Sequence, residues 1–356
     1  MHSNDLVKIR LTNQRLAEQK FKRATDAVSF LGAVQAQDYN AAKWALALRS
    51  DNETDLTIDD AFNKGKILRT HVMRPTWHFV SPGDIRWLLD LTAPRVNAIC
   101  RHYYRKFELD EKFFRRTHKV ISKELQREKH LTRAELRERL IRQRIDPGDA
   151  IRMSFILLQA ELDGLVCSGP RRGKQFTYAL LDERVAKSKE ITREEALAKL
   201  TLTYFTGHGP ATIHDYSWWS GLALSDVRTG LEMVGKKLQH EGKYHLAETH
   251  ADGIPEVILL PAFDEYLVGY TDRSAAVTST SKQTDLPNAI FRGVILVRGL
   301  VKGEWRRKNV NKKTVIEVNS WTSMSKPVQR ALERAASLYG NYTGVMARVD
   351  LPSARS

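Results

Sequence analysis

The chain has 356 residues, 42% apolar and 28% charged, the balance of an ordinary globular protein long enough for two or three compact units. Its two cysteines, Cys100 and Cys167, exclude a disulfide framework and form no Cys-x-x-Cys pair, and no run approaches the ~20 apolar residues that span a bilayer. A formal net charge of +15, spread over the whole chain, points to a polyanion, with nucleic acid ahead of an anionic membrane surface. Met1–Asp5 lacks a basic region followed by an apolar core, so no signal peptide is expected. The expected placement is soluble, cytoplasmic and nucleoid-associated.

Residues 6–110 read as mostly helical. Leu6–Gln19 carries apolar residues at helical spacing, Thr25-Asp26 can cap a helix running to Val34, and Asn40 can cap the next, through Arg49. Thr57–Phe62 opens another helix with acidic residues in its first turn. Ile67–Val80 then turns β-branched and aromatic, with Pro75 placed for a hairpin turn, before a helix from Ser81 through Leu91. Three helices followed by a hairpin is the order of a winged helix.

The order recurs. Thr132 to Glu135 is a capping box, Ile151–Asp163 a helix ended by Gly164, and Leu165–Ser168 and Gln175–Leu180 two strands around a turn with Arg171, Arg172 and Lys174. Thr192 to Glu195 caps a third unit, whose Gly207–Thr212 turn joins two helices. His208 and His214, six apart, fit no usual zinc spacing and read as turn and helix-surface residues. From Glu256 the chain is β-rich, its clearest pieces being Val257–Tyr266 and Gly293–Lys308, the second with an Arg298-Gly299 turn between two short strands; a strand at Thr314–Val318 and a helix at Ser325–Tyr339 follow. The predicted fold is α+β: tandem winged-helix units at 1–110, 111–188 and 189–252, then a β-barrel-like domain at 253–356. Boundaries are expected near Val185–Arg193 and His250–Pro255.

The stretch that carries the chemistry is Val34-Gln35-Ala36-Gln37-Asp38, at a helix junction. On a helix, residues i and i+2 point roughly 200° apart; on an extended segment they share a side, so two carboxamides could hold one ligand or one water. The plain alternative is two glutamines satisfying backbone groups. Asp38 is either a base oriented by the glutamines or a cap on the following helix. His78 could touch sugar-phosphate or water, or act as a structural hydrogen-bonder. Asp264 and Glu265 could form a carboxylate site or tie down Arg273.

Together, five segments resemble the AlkZ-type (YcaQ-like) winged-helix DNA glycosylases: Gln35-Ala36-Gln37 with Ala45–Arg49, Arg69-Thr70 through Arg74-Pro75-Thr76-Trp77-His78, Gly209–Thr212 through Trp219-Ser220-Gly221, Leu260–Tyr266, and Gly303-Glu304-Trp305. Pro75 stands where that family often has glycine. The resemblance implies tandem winged helices and a β-domain curving around DNA. It also implies hydrolysis of the N-glycosidic bond of N7-alkylated purines, including bulky adducts and, in some members, interstrand crosslinks. The family's Gln-apolar-Gln motif falls on Gln35 and Gln37.

Glutamine is no general base near neutral pH, but an N7-alkylguanine carries a fixed positive charge and leaves as a neutral base. What remains is to position a water and stabilise an oxocarbenium-like transition state. No cofactor and no metal is expected. The expected partner is double-stranded DNA, alkylated by this logic, bound by a monomer through phosphate contacts from Arg74, Arg171, Arg172, Lys174, Arg306, Arg307 and Lys308. The rival reading is a non-catalytic winged-helix regulator; such proteins usually dimerise on paired half-sites, and no heptad segment is visible.

Overall fold

The computed structural model describes residues 3–17, 19–247, 253–277, 290–310 and 313–350. Met1, His2 and the boundary expected at His250 lie outside them. The chain opens with α1 (Ser3–Asn13), α2 (Ala24–Leu31), the short strand β1 (Val34–Gln35), α3 (Tyr39–Ala47) and α4 (Asp55–Asn63). Three expected boundaries move. α1 stops at Asn13, because Arg15 takes a left-handed φ of 55°. α2 starts at Ala24 without a side-chain cap, its first N–H donating to Glu53 at 2.7 Å. The cap of α3 is Asp38 rather than Asn40, with one carboxylate oxygen accepting from the N–H groups of Asn40 and Ala41 at 3.0 Å each.

A hairpin follows, β2 (Leu68–Val72) and β3 (Arg74–Val80), which with β1 forms a sheet of order β1-β3-β2. Its turn is at Met73, φ 64°, and Pro75 lies within β3, not in the turn. β1 pairs only with Phe79 and His78, so Pro75 lies beyond its end, where β3 has no partner on that side to miss a donor. Gly221 fixes where this turn rests: at φ 71° it ends a helix, and a Cβ there would meet Met73 O at 2.1 Å.

α5 (Ile85–Lys106) runs well past Leu91, with Pro94 inside it. Its buried stripe Ile85, Leu88, Thr92, Val96, Cys100 continues across the proline, and that burial outweighs local propensity. Next come α6 (Glu111–Glu128), β4 (Leu131–Thr132), α7 (Arg133–Arg142), α8 (Ala150–Leu162), β5 (Val166–Ser168), β6 (Thr177–Leu180) and α9 (Leu181–Arg184), the strands ordered β4-β6-β5. Then α10 (Arg193–His208), α11 (Ile213–Ser220) and α12 (Leu224–Val234) lead to a hairpin of β7 (Gln239–Glu241) and β8 (Tyr244–Leu246). The capping boxes read at Thr132–Glu135 and Thr192–Glu195 are both formed.

The C-terminal region holds β9 (Val257–Leu260), α13 (Glu265–Val268), β10 (Gly293–Val297), β11 (Leu300–Val310), β12 (Lys313–Ser320), α14 (Lys326–Thr343) and β13 (Ala347–Asp350). The sheet order is β13-β12-β11-β10-β9. It is a half-barrel with open edges at β13 and β9, not a closed barrel, and β13 pairs parallel to β12. Among the described residues no helix is long and apolar enough to cross a membrane.

Three apolar clusters hold these elements. One runs from Leu11, Leu31 and Phe79 to Leu259, Ile295, Ile316 and Tyr339, so α1–α4 share a core with the half-barrel. A second joins α5 to α10–α12 through Leu88, Val96, Leu200 and Trp219, and a third packs α6–α8 around Ile121, Leu140 and Ile156.

Inside the first junction, Arg49 donates both terminal nitrogens to Asp264 at 2.8 Å each, and both side chains are buried. Gln14 and Ala45 O accept the remaining hydrogens of those nitrogens at 2.8 and 2.9 Å. Removing one partner leaves an uncompensated buried charge, so Arg49→Met is expected to destabilise the fold by about 3–5 kcal/mol in urea or guanidinium unfolding.

Candidate active site

Strand alternation decides which side chains meet. Residues directly opposed in a sheet share a face, so the register Gln35–His78–Thr70 puts these three on one face, and Val34–Phe79–Arg69 faces the other way. Arg74, two turns of the pleat from His78, reaches the same face as Gln35. Its Nη2 donates to Gln35 Oε1 at 2.9 Å and stands 3.4 Å from His78 Nε2. His78 Nδ1–H donates to Thr76 O at 2.9 Å, which fixes the tautomer and leaves Nε2 to accept from Arg74.

His78 is fully buried, and burial followed by the nearby Arg74 charge lowers its pKa to about 3. It is a neutral imidazole that holds Arg74, which in turn holds Gln35. Both ring nitrogens are engaged inside the protein.

The backbone of Gln35 is held from the far end of the chain. Its N–H donates to Glu265 Oε1 at 2.7 Å, while the other carboxylate oxygen accepts from Trp219 Nε1 at 2.8 Å and His208 Nε2 at 3.2 Å. Burial of Glu265 would raise its pKa, but His208, then the Gln35 N–H and the Arg74 charge, outweigh it and bring it to about 2. The acidic pair therefore divides its work. Asp264 binds Arg49, not the expected Arg273, whose Nε instead donates to Leu267 O at 2.8 Å. His208 is no surface residue; it is fully buried at the end of α10.

Gln37 is exposed, past the end of β1. The ladder continues through Ala36 N–H to Trp77 O at 2.7 Å, and Gln37 Oε1 takes the next position, accepting from Trp77 N–H at a long 3.4 Å. Arg69 closes the segment from the other face, donating from Nε to Ala36 O at 3.0 Å and from Nη2 to Gln37 O at 3.4 Å. Each glutamine oxygen thus has one donor and keeps a second lone pair. Asp38 caps α3 beside them, solvent-exposed.

The cations expected on DNA are placed unequally. Arg171 turns inward, with Nη1 at 3.4 Å from both carboxylate oxygens of Asp59 and its guanidinium carbon 4.8 Å from the Tyr39 ring centroid. Arg172 pairs with Glu135 at 2.6 Å, and Lys174 is exposed. Arg306, Arg307 and Lys308 lie within β11, not beyond it, and alternation splits them. Arg306 and Lys308 both reach Glu317, at 2.9 and 3.7 Å, while Arg307 reaches the Tyr339 hydroxyl at 3.2 Å. Burial works against the Arg307 charge, yet Tyr339, Asp38 and Asp55 hold its pKa above the ordinary value.

Sequence reasoning missed Glu265 as the support of Gln35 and Arg69 as the clamp on 36–37. Neither has a local signal for Gln35: Glu265 is 230 residues away. Arg69 and Trp77 were legible only through the hairpin register, which a turn placed at Pro75 shifts.

Both titrating groups push stability the same way. The native state leaves His78 unprotonated down to about pH 3, whereas the unfolded chain protonates it near 6.5; Glu265 adds the same effect from 4.5 down to about 2. The unfolding free energy is therefore expected to be full above pH 6.5 and to fall on acidification, His78 alone contributing a slope of up to about 1.4 kcal/mol per pH unit. Denaturant unfolding from pH 7 to 4 should show a shallower slope for His78→Asn than for the unmodified chain.

Comparisons with known proteins agree with this architecture. The family model described as DNA glycosylase AlkZ-like matches residues 28–342. A curated protein of Streptomyces sahachiroi, "Interstrand DNA cross-link repair glycosylase", is 24% identical over 328 residues, 83% of this chain and 85% of that one. The solved structure "Streptomyces sahachiroi DNA glycosylase AlkZ" superposes with a TM-score of 0.80 at 21% identity, over 99% of this chain and 100% of that one. With a family match over that span of its length, this chain belongs to the AlkZ-like DNA glycosylase family.

Proposed function

We propose that the protein hydrolyses the N-glycosidic bond of N7-alkylated purines in double-stranded DNA, with Gln35 and Gln37 holding the attacking water. The observation that carries this reading is the support built around Gln35. Its N–H is fixed by a buried carboxylate, and its side-chain oxygen is fixed by Arg74, itself held by His78. A glutamine needed only for backbone satisfaction would not require a buried ion network behind it.

A cationic leaving group needs no acid, and the proton transfer that the glutamines lack is worth ~10²–10⁴-fold, which an activated substrate can forgo. The two amide oxygens, each with a lone pair left over, favour a developing oxocarbenium. In this reading Asp38 is a helix cap, His78 and Arg74 are positioning residues, and unmodified purines, which leave poorly, are spared. The three repeats of helices followed by a hairpin act as winged helices, in the units 1–110, 111–188 and 189–252, with 253–356 as the half-barrel. Lys174, Arg172, Arg306, Arg307 and Lys308 supply phosphate contacts, and the protein acts as a monomer without a cofactor. The name of the Streptomyces relative extends the substrate class to interstrand crosslinks.

The test is base release from a duplex with one N7-methylguanine and one with a bulky N7 adduct, read as alkali-labile sites. Wild-type protein is expected to release both, and Gln35→Ala/Gln37→Ala to lose about 10²-fold or more in rate with DNA affinity retained. Undiminished release by the variant moves the chemistry to other residues. No release by the wild type, with salt-sensitive binding to ordinary duplex, leaves a winged-helix DNA-binding protein without the reaction.

A further inference from the structure

Behind the glutamine segment, on the opposite face of the hairpin, is a cleft of about 530 Å³. Its walls come from Arg69 and Trp77 of the hairpin, Arg133 and Arg137 of α7, and Lys174 and Phe176 of the loop before β6. The volume falls in the ~300–1,000 Å³ range of sites that take one small ligand or one residue of a polymer.

Two features select the occupant. The first is charge: four cations line the cleft and, among the described residues, no carboxylate does. The guanidinium groups of Arg133 and Arg137 are held by main-chain carbonyls, Ala150 O and Gly148 O, which orient them without neutralising them. The cleft along β10–β12 differs, since Arg292 and Arg306 share it with Glu304 and Glu317. The second is planarity: the Arg69 guanidinium carbon lies 4.2 Å from the Trp77 ring centroid and 4.8 Å from that of Phe176, so the wall is a stack of flat groups. Flat π-faces among uncompensated cations match a nucleobase with its flanking phosphates.

The cleft also touches the reacting segment directly. Arg69 donates to the carbonyls of Ala36 and Gln37, and Trp77 N–H donates to the Gln37 carboxamide. Any group that presses on Arg69 or Trp77 bears on Gln37 from behind.

We propose that this cleft is a second DNA subsite, which takes one unpaired nucleotide of the strand beside the damage, stacking its base on Trp77 and holding its phosphates on Arg133, Arg137 and Lys174. The proposal rests on the DNA glycosylase reading for its ligand, and it assigns the cleft a role apart from the water site.

The test uses the full chain and a duplex with 2-aminopurine beside a stable abasic analogue, so that no base release is needed. In fluorescence anisotropy, Arg137→Ala/Lys174→Ala is expected to bind about tenfold more weakly and to lower the slope of log affinity against log salt by about 2. These positions lie outside the hairpin, so the variant leaves the glutamine segment intact. Protein binding is expected to change the 2-aminopurine emission, the change being lost in Trp77→Ala and regained in Trp77→Phe, which restores a stacking ring. An unaltered salt slope, or identical emission in all three proteins, overturns the proposal. Loss of the slope and of the emission change in a protein that releases no base upholds the subsite while the glycosylase reading falls. Base release with neither effect does the reverse.

Discussion

The hydrogen bond from Gln35 N–H to Glu265 is the contact on which the rest of the site depends. A carboxylate with no exposure is costly unless its oxygens are hydrogen-bonded, and here Gln35 donates to one and Trp219 and His208 to the other. The three donors come from β1, α11 and α10, so one ion ties together the N-terminal sheet, the third helical unit and the C-terminal half-barrel. Removing the charge would free all three at once. The neighbouring Asp264–Arg49 pair repeats the device one residue earlier, binding the turn after α3 to the N-cap of the same short helix.

In the reaction proposed above, a site built on uncharged amides acts on a cationic substrate. That proposal puts the glutamines against the reacting atoms, with Arg74, His78 and Glu265 behind Gln35. Arg74 positions an oxygen, His78 keeps Arg74 in place without adding charge, and Glu265, buried between His208 and the Arg74 charge, fixes the Gln35 N–H. Membership of a DNA glycosylase family and the fold of a Streptomyces relative fit that chemistry.

Local features were legible in the sequence, and contacts between distant segments were not. The capping boxes at Thr132 and Thr192, the Arg298-Gly299 turn and the helix expected at 325–339 follow from rules that act within a few residues, and all are formed, the helix running 326–343. Pro75 misled because proline marks turns in isolation, while here an edge strand that stops short lets it sit inside a strand. The helix expected to end at Leu91 runs on for a different reason: a buried stripe carries α5 past Pro94 to Lys106. The triplet at 306–308 reads as one basic cluster in sequence, yet a pleated strand sends alternate residues to opposite faces. Gln35 and Gln37 could be singled out from their spacing and the motif they match. Their support could not, because it arrives from residues 69, 74, 208, 219 and 265, whose identities are ordinary until the fold brings them together.

The separation between Gln35 and its support also has a meaning in time. Some 230 residues lie between the two ends of that hydrogen bond. A ribosome adding roughly 5–20 residues per second needs on the order of tens of seconds to cover that distance. Through that interval the glutamine segment is already outside the ribosome but has nothing behind it, and the core it shares with the half-barrel is unfilled. A nascent or prematurely ended chain therefore carries the motif without a working site. In a member of a DNA glycosylase family, the segment that carries Glu265 thus completes the support of a motif made some 230 residues before it.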